Sequence, residues 1–379
     1  MSEAEKSQNK SRVLPRAQQV RRVQTSGNYW YAAELSKNLK PGDIKEVIYW
    51  GKSIALFRGQ DGQVRAVENR CAHRQLALTK GVVEGNNITC QYHGWQYDGC
   101  GRCVSIDHEL GKNRSRMPKI EIEAYPVKER YGLVWIFPGN PELADTVPLP
   151  AIPQLDQANP WPVVPIDVTI KSHFSMIVEN VCDFNHAYLH RRKQPFTQPV
   201  LNKYWRENET IHVLYDTSFH NSPIARLFAD HSGLDQIHLW YQYPYQGSDI
   251  AGKYLHWLFM LPQDERTTRC FFLFLFGPIH IPGTKVSIPN AVKAPFLALA
   301  NQLYIKPLLA EDMWALEAEQ KGFDLHFDNP FYELNPIVPE FQTLTIERHE
   351  TYQAETLTRQ LTKKAQASKA SGANAPAAE

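Results

Sequence analysis

Hydrophobic and polar positions change their pattern once along the chain. From residue 29 to about 137, short apolar runs such as EVIYW, SIALFR, VRAVEN and GLVWIF alternate with glycine-containing turns, which predicts a small all-β domain. Further on, the pattern predicts a helix over 174–190, then strand-like runs, then an amphipathic helix over 295–321. Many strands followed by a long helix are typical of an α+β arrangement in which the helix packs on a sheet.

The two patterns are separated by a proline-rich passage. Residues 137–165 contain eight prolines, which disfavour both a regular helix and a central strand. We therefore expect a disordered arm at 1–26, a first domain at 27–140, a linker at 141–160, a second domain at 161–360 and a disordered alanine-rich tail at 361–379. Both ends are polar or poor in large apolar side chains, so neither can offset its ordering entropy.

Composition excludes several classes of protein. The chain has 41 Lys and Arg against 40 Asp and Glu, a net charge of +1, so it carries no overall field for binding nucleic acid. No run approaches the roughly 18 apolar residues of a membrane span. The first 22 residues have six basic and two acidic side chains but no apolar core, so we expect no secretory signal and a cytoplasmic protein.

Cysteine and histidine cluster in the first domain. The stretch NRCAHRQLAL contains Cys-x-His at Cys71 and His73, and TCQYHGW contains Cys-x-x-His at Cys90 and His93. Structural zinc sites usually group Cys with Cys and His with His, whereas here each loop supplies one of each. A Rieske [2Fe-2S] cluster, in which two thiolates hold one iron and two imidazoles the other, fits the mixed pairs better than zinc. The nearby Cys100 and Cys103 are interpreted as incidental small residues of a turn.

These motifs resemble the Rieske domain family. The flanking residues agree as well, namely Arg74, Tyr92, Gly94 and Trp95. Where relatives commonly have proline inside either motif, this chain has Ala72 and Gln91, a departure outside the ligands. The resemblance implies a cluster that accepts and passes on one electron at a time.

A second group of polar residues lies in ENVCDFNHAYLHRR. On an ideal helix, at about 100° per residue, His186 and His190 would be about 40° apart and Asp183 within about 60° of both. Two histidines at i and i+4 can chelate one metal. A carboxylate as third ligand would complete the facial triad of non-heme iron oxygenases.

This segment resembles the catalytic domain of Rieske non-heme iron oxygenases. The resemblance implies a helix-grip (START-like) domain with an antiparallel sheet, His186 as the first iron ligand and Asp312, in LLAEDMWALEAEQ, as the carboxylate ligand. Asp183 matches the residue that links one subunit's Rieske histidine to the neighbour's iron. Many relatives separate the histidines by four residues, which would place Arg191 at the metal. Arginine cannot be a ligand, so His190 is expected instead, with His173 in reserve.

The resemblance implies the terminal oxygenase (alpha) subunit of a Rieske system. Such a subunit uses O2, a mononuclear Fe(II) and electrons from NAD(P)H, delivered by a ferredoxin or flavin reductase, to hydroxylate or oxidatively demethylate a hydrophobic small molecule. The chain has no GxGxxG fingerprint of its own. Family members are commonly homotrimers. The sequence does not distinguish monooxygenation from dioxygenation. It does not name the substrate either, and the class of enzyme alone suggests a hydrophobic ring compound such as a terpenoid, sterol or pigment precursor.

Two other classes of protein compete with this interpretation. One is a non-catalytic Rieske electron carrier fused to a ligand-binding domain that has lost its iron, a reading favoured by the shortened histidine spacing. The other is a zinc-stabilised lipid-binding module, which would be colourless. Large apolar residues of the second domain are candidates for a substrate pocket, although about half must point elsewhere because side chains alternate along strands: Phe196, Trp205, Leu239, Trp240, Trp257, Phe259, Phe271 and Phe272.

Overall fold

A computed structural model of the chain describes residues 14–106, 118–190, 199–217, 235–278 and 287–372. The first part of the chain is built from short strands in three antiparallel sheets. The first sheet has the strand order β1 (Tyr31–Leu35), β11 (Leu133–Ile136) and β10 (Val127–Arg130). The second has the order β2 (Ile44–Tyr49), β3 (Lys52–Arg58), β4 (Val64–Glu68) and β9 (Ala124–Tyr125). The third has the order β5 (Val82–Glu84), β6 (Asn87–Thr89), β7 (Gln96–Tyr97) and β8 (Cys103–Ser105).

The second part of the chain forms one large antiparallel sheet. Its strand order is β12 (Val163–Ile170), β18 (Thr267–Phe276), β17 (Tyr254–Asp264), β16 (Tyr245–Ile250), β15 (Asp235–Gln242), β14 (Thr210–Thr217) and β13 (Val200–Glu207). The helices are α1 (Arg16–Val20), α2 (Pro153–Asp156), α3 (Phe174–Cys182), α4 (Asn290–Ala300), α5 (Lys306–Leu325) and α6 (Val338–Gly372), with a π-helical turn, Asn301–Ile305, between α4 and α5.

The two faces of the large sheet pack against different partners. Along β17, Leu258 and Met260 join the hydrophobic core shared with the helices, whereas Trp257 and Phe259 join a core with Trp135 of β11. This alternation follows from the two-residue period of a strand, which sends neighbours to opposite faces. The helices therefore cover one face, called here the helix-side face, and the first domain covers part of the other.

The expected fold class, an N-terminal all-β domain followed by an α+β domain with an antiparallel sheet, is confirmed. The expected continuous helix over 174–190 is wrong, because α3 ends at Cys182 and Asp183 adopts an extended conformation (φ −98°, ψ 98°). A 3-10 helix, Phe184–Tyr188, then carries the chain onward. No helix among the described residues has the length and apolarity needed to cross a bilayer.

Part of the arm expected to be disordered packs against the second domain. Val20 is buried with the helix-side core, and Arg21 is buried beside α3. Arg21 donates two hydrogen bonds of 2.6 Å to the carboxylate of Glu179 and one of 2.7 Å to Ser175 Oγ. The composition of the arm could not predict this contact, because Glu179, which compensates the charge of Arg21, lies more than 150 positions away in the sequence.

Replacement of Arg21 by alanine is expected to lower the free energy of unfolding by about 3 kcal/mol. The change would leave Glu179 as a half-buried carboxylate without its cation, which is the costly way to break such a pair. The measurement is the thermal unfolding midpoint of the cofactor-loaded protein. Arg16→Ala is the matched control, since Arg16 is the first residue of α1, the helix that Arg21 directly follows, and its side chain is exposed. Equal midpoints for the two variants would contradict the prediction.

The tail expected to be disordered from residue 361 is helical as far as Gly372, as the end of α6. Residues 361–372 contain three alanines and three lysines, and both residue types have high helix propensity, which explains the difference from the expectation. Leu361, at the start of this stretch, and Leu357, one turn before it, are exposed. Residues 1–13 and 373–379, the other parts of the two expected disordered ends, lie outside the described residues.

Candidate redox and metal centres

Two loops of the first domain share one hydrogen-bond pattern. In the first, the N–H of Gln75 donates to Cys71 O, and Cys71 N donates to Leu76 O. In the second, Gly94 N donates to Cys90 O, and Cys90 N donates to Trp95 O. The fifth residue of each loop has a positive φ, 64° for Gln75 and 70° for Gly94, which glycine adopts readily. The two turns thus present their cysteines in the same way.

The four candidate cluster residues converge from these loops. The rings of His73 and His93 lie 4.5 Å apart between centroids, and Trp95 stacks on His73 at 4.7 Å with an interplanar angle of 6°. Both cysteines, Cys71 and Cys90, are buried, whereas both histidines are half-buried. Burial raises the pKa of the Cys90 thiol. The sulfur side of the site is therefore shielded and the imidazole side reaches the surface.

A residue that sequence reasoning missed supports the first loop. Tyr97 Oη lies 3.4 Å from Cys71 Sγ and accepts a hydrogen bond of 2.9 Å from the N–H of Ala72. A proline at position 72 has no N–H and could not donate this bond. Ala72, which stands where relatives commonly have proline, therefore makes a contact that supports the loop. Cys100 is exposed, whereas Cys103 is buried in the same hydrophobic core as Cys71 and Cys90, with its Sγ 3.7 Å from Ser105 O.

The second site forms where the helix breaks. Asp183 ends α3, and its side chain caps the following 3-10 helix by accepting a hydrogen bond of 2.9 Å from Asn185 N. Within that 3-10 helix His186 has a non-helical conformation (φ −78°, ψ 20°). This break changes the direction of the backbone. Although only three residues separate His186 from His190, their rings therefore lie close together. The ring centroids are 5.2 Å apart at an angle of 71°.

Asp312 of α5 meets both histidines. Its Oδ1 atom lies 3.1 Å from His190 Nε2 and 3.6 Å from His186 Nε2. One candidate ligand atom from each of the three residues lies within 4.8 Å of the others. Two imidazoles and one carboxylate in this arrangement are the donor set of a facial triad.

The electrostatics of this group fit a cation. Burial lowers the pKa of His186. Burial also acts to lower the pKa of His190, but hydrogen bonds and charges from Asp312 and Glu311 outweigh it, and the net pKa is raised. Glu311 Oε2 lies 2.9 Å from His190 Nδ1, the ring nitrogen that faces away from Asp312. Sequence analysis missed this contact, which orients the His190 ring as carboxylates do behind metal-bound histidines.

The reserve candidate, His173, lies elsewhere. It is buried at the start of α3, where Nδ1 contacts Ser175 Oγ at 2.8 Å and Nε2 contacts Val23 O at 3.2 Å. Burial lowers its pKa to about 3. Nε2 thus contacts the N-terminal segment and Nδ1 contacts α3, so the structure does not bring His173 to the candidate metal site.

The Asp183 carboxylate does not join the three-residue group. Besides capping Asn185, its Oδ1 accepts a hydrogen bond of 2.9 Å from Asn335 Nδ2. Asp183 is half-buried. Among the residues that the structure describes, no hydrogen bond connects it to His93 of the same chain.

The apolar residues nominated for a pocket divide between the two faces of the large sheet. Leu239 and Phe272 lie on the helix-side face, whereas Trp257, Phe259 and Phe271 pack against the first domain. Trp205 and Trp240 lie on that second face too, since Trp205 stacks on His212 and Trp240 contacts Trp257. Phe196 lies outside the described residues.

Comparison with known proteins gives matches over nearly the whole chain. The Rieske [2Fe-2S] domain family matches residues 29–121. The chain is 59% identical over 342 residues, covering 90% of its length and 93% of the relative, to a 4beta-methylsterol monooxygenase of Methylococcus capsulatus. It is 34% identical over 166 residues, 43% of this chain and 47% of the relative, to the oxygenase component of dicamba O-demethylase of Stenotrophomonas maltophilia.

Solved structures share the fold. A crystal structure of dicamba monooxygenase bound to 3,6-dichlorosalicylic acid superposes with a TM-score of 0.69 at 21% identity, covering 88% of this chain and 99% of that one. The terminal oxygenase of carbazole 1,9a-dioxygenase from Nocardioides aromaticivorans gives a TM-score of 0.67 at 23% identity, covering 88% and 97%. At these identities the likeness concerns the fold.

Proposed function

The chain belongs to the Rieske non-heme iron oxygenases, as a terminal oxygenase subunit, and from this membership we propose that it hydroxylates a methyl group of a sterol. The protein is an enzyme whose cofactors are a Rieske [2Fe-2S] cluster and a non-heme iron. The observation that carries the substrate proposal is the 59% identity, over 90% of the chain, to a 4beta-methylsterol monooxygenase.

Residues of the two candidate centres are proposed to hold these cofactors. Cys71 and Cys90 would bind one iron of the cluster and His73 and His93 the other, because two shielded thiols and two half-buried imidazoles converge from matching loops. The mononuclear iron would be held by a separate group, consisting of His186, His190 and Asp312. This convergence weighs against the alternative of a non-catalytic electron carrier, which would need no second metal centre besides the cluster.

The reaction proposed is a monooxygenation. The bound iron supplies the activation of O2, with one oxygen atom entering a C–H bond of the methyl group and the other leaving as water, at the expense of two electrons and two protons. The electrons would come from NAD(P)H through a ferredoxin or flavin reductase. They would leave the cluster at its imidazole side, where His73 and His93 are half-buried and Tyr92 is exposed.

The chain's own residues would orient the substrate and exclude water. The helix-side face of the sheet is aromatic and aliphatic near the metal site, where Phe184 lies beside His186 at 6.4 Å and beside Tyr215 at 5.8 Å between ring centroids. An apolar surface of this kind suits a fused-ring hydrocarbon, because burying it releases water from both partners.

A homotrimer is part of the proposal. As the family resemblance implies, Asp183 would connect His93 of one subunit to His186 of the next; His186 follows Asp183 by three residues. The shared site would then be complete only in the assembly.

Turnover of a 4-methylsterol under labelled O2 tests the function. The purified oxygenase, supplied with NAD(P)H and a generic ferredoxin and reductase, should give a hydroxymethyl product containing one labelled oxygen atom, detected by mass spectrometry. Incubation without reductase is the control. Absence of any sterol product, together with demethylation of a methoxylated aromatic acid such as dicamba, would overturn the proposed substrate and leave the oxygenase assignment intact.

A further inference from the structure

One helix at the surface of the second domain presents large apolar side chains to the outside. Val292, Phe296 and Leu299 of α4, and Leu303 of the π-helical turn that follows it, are 55%, 73%, 56% and 67% exposed. They are spaced four, three and four residues apart, the period that places side chains on one face of a helix. These four residues are called here the α4 stripe.

The exposed surface around the α4 stripe carries no charge. From Asn290 to Leu303 the only charged residue is Lys293, and its side chain is buried. The exposed part of α6, by contrast, has charged side chains at close intervals, such as Glu350 and Lys363. Polar and charged residues normally occupy the water-facing side of a helix, so the outer side of α4 suits a partly apolar surrounding better than water.

The size of the α4 stripe favours a lipid surface over a second protein chain. Four side chains with these exposures present on the order of 400 Å² of apolar surface, whereas a stable contact between two proteins buries about 800 Å² on each partner. A bilayer sets no such minimum, because an amphipathic helix at the headgroup boundary binds in proportion to the apolar area that it inserts.

The same helical segment reaches both the core of the second domain and the candidate metal site. Leu297 of α4 and Ile305 of the π-helical turn are buried in the helix-side core, which includes Tyr215. The chain then continues directly into α5, where Asp312 follows Leu303 by nine residues, about 14 Å along a helix axis. The α4 stripe therefore belongs to the segment that supplies a proposed iron ligand.

We propose that the α4 stripe docks on the surface of a phospholipid bilayer, from which the enzyme collects its substrate. Surface docking requires no helix long enough to span the bilayer. A 4-methylsterol is a lipid of very low solubility in water, so an enzyme bound to the bilayer would meet it at a higher local concentration than in the aqueous phase. The docking follows from the stripe itself, whereas the collection of substrate rests on the proposed sterol function.

Flotation with vesicles tests the docking. The cofactor-loaded protein is mixed with vesicles of phosphatidylcholine and phosphatidylglycerol in equal parts, and the bound fraction is measured over a range of lipid concentrations. Wild type should bind, and high salt should change the binding little because the α4 stripe is uncharged. The double variant Leu299→Gln/Leu303→Gln should bind at least about tenfold more weakly, since two apolar side chains no longer insert. Glutamine has nearly the helix propensity of leucine, so α4 should persist.

The matched control is the double variant Leu357→Gln/Leu361→Gln. These two leucines are also four residues apart on a helix, α6, and each is 58% exposed. The control should bind vesicles as wild type does. Failure of wild type to float, or equal binding by wild type and the stripe variant, would overturn the docking. Equal weakening in both double variants would overturn it too, as would a stripe variant that only forms a smaller assembly in sedimentation velocity.

Turnover separates the docking from the substrate. With a 4-methylsterol embedded in vesicles, the stripe variant should react about tenfold more slowly than wild type at low lipid concentration, in proportion to its weaker binding. With the sterol delivered by cyclodextrin, the two rates should be equal. Equal rates in both forms of delivery would overturn collection from the bilayer. Vesicle binding by wild type without any sterol product would overturn the proposed substrate and leave the docking intact.

Discussion

His190→Ala is expected to lose the mononuclear iron and to reduce turnover to background. His190 supplies the Nε2 atom 3.1 Å from Asp312, and alanine would leave only two protein ligands in the proposed triad. Iron content should fall from three atoms per chain to the two of the [2Fe-2S] cluster. The measurement is metal analysis together with the visible absorption of the cluster, which should be unchanged because Cys71, His73, Cys90 and His93 are untouched.

The control for this prediction is another histidine of the same domain. His238 is half-buried on β15, where its Nε2 lies 3.1 Å from His212 Nδ1, and His238→Ala should retain the mononuclear iron. Tight binding of a third iron by His190→Ala would exclude His190 as a ligand. The second ligand would then have to come from a residue outside the described group, since His173 is committed to other contacts.

Asp183→Asn is expected to abolish turnover while both metal centres remain loaded. Asparagine retains an oxygen that can cap Asn185 and accept from Asn335, so the local structure should persist. A carboxylate accepts hydrogen bonds at both oxygens, whereas an amide donates at one, which would break the proposed connection between two histidines. Stopped-flow absorption should show a reduced cluster that is no longer re-oxidised when substrate and O2 are added.

Asn335→Ala separates the contact between Asn335 and Asp183 from electron transfer. It removes one of the two hydrogen-bond donors to Asp183 Oδ1 without changing the carboxylate, so turnover should stay within about threefold of wild type if this contact is only structural. Cluster re-oxidation at the wild-type rate in Asp183→Asn would remove Asp183 from the electron path and with it the argument for a shared intersubunit site.

The local motifs of the redox centre could be predicted because its spacing is short and chemically specific. Cys71 and His73 are two residues apart, and Cys90 and His93 three, so the pattern is visible without any tertiary information. The paired turns that present them are also local, since each closes within five residues. Tyr97, which contacts Cys71, could not be singled out because one tyrosine after a turn has no distinctive pattern.

The convergence of the three candidate metal ligands was predicted, but for a partly mistaken reason. The three expected residues, His186, His190 and Asp312, do converge, yet the helix assumed to align the histidines ends at Cys182. Helical periodicity cannot anticipate a break caused by Asp183 capping the next turn. The contact between Glu311 and His190, and that between Arg21 and Glu179, join residues more than 100 positions apart and depend on tertiary packing.

The alternation of the large sheet limits how substrate choice can change. Because each strand sends one residue to the helices and the next to the first domain, deleting a single residue within β17 would exchange Leu258 for Trp257 on the helix-side face. Such a deletion would disturb the interdomain contact and the proposed substrate surface at once. New specificities are therefore accessible mainly through side-chain replacements that preserve strand length, with insertions and deletions confined to the connecting loops.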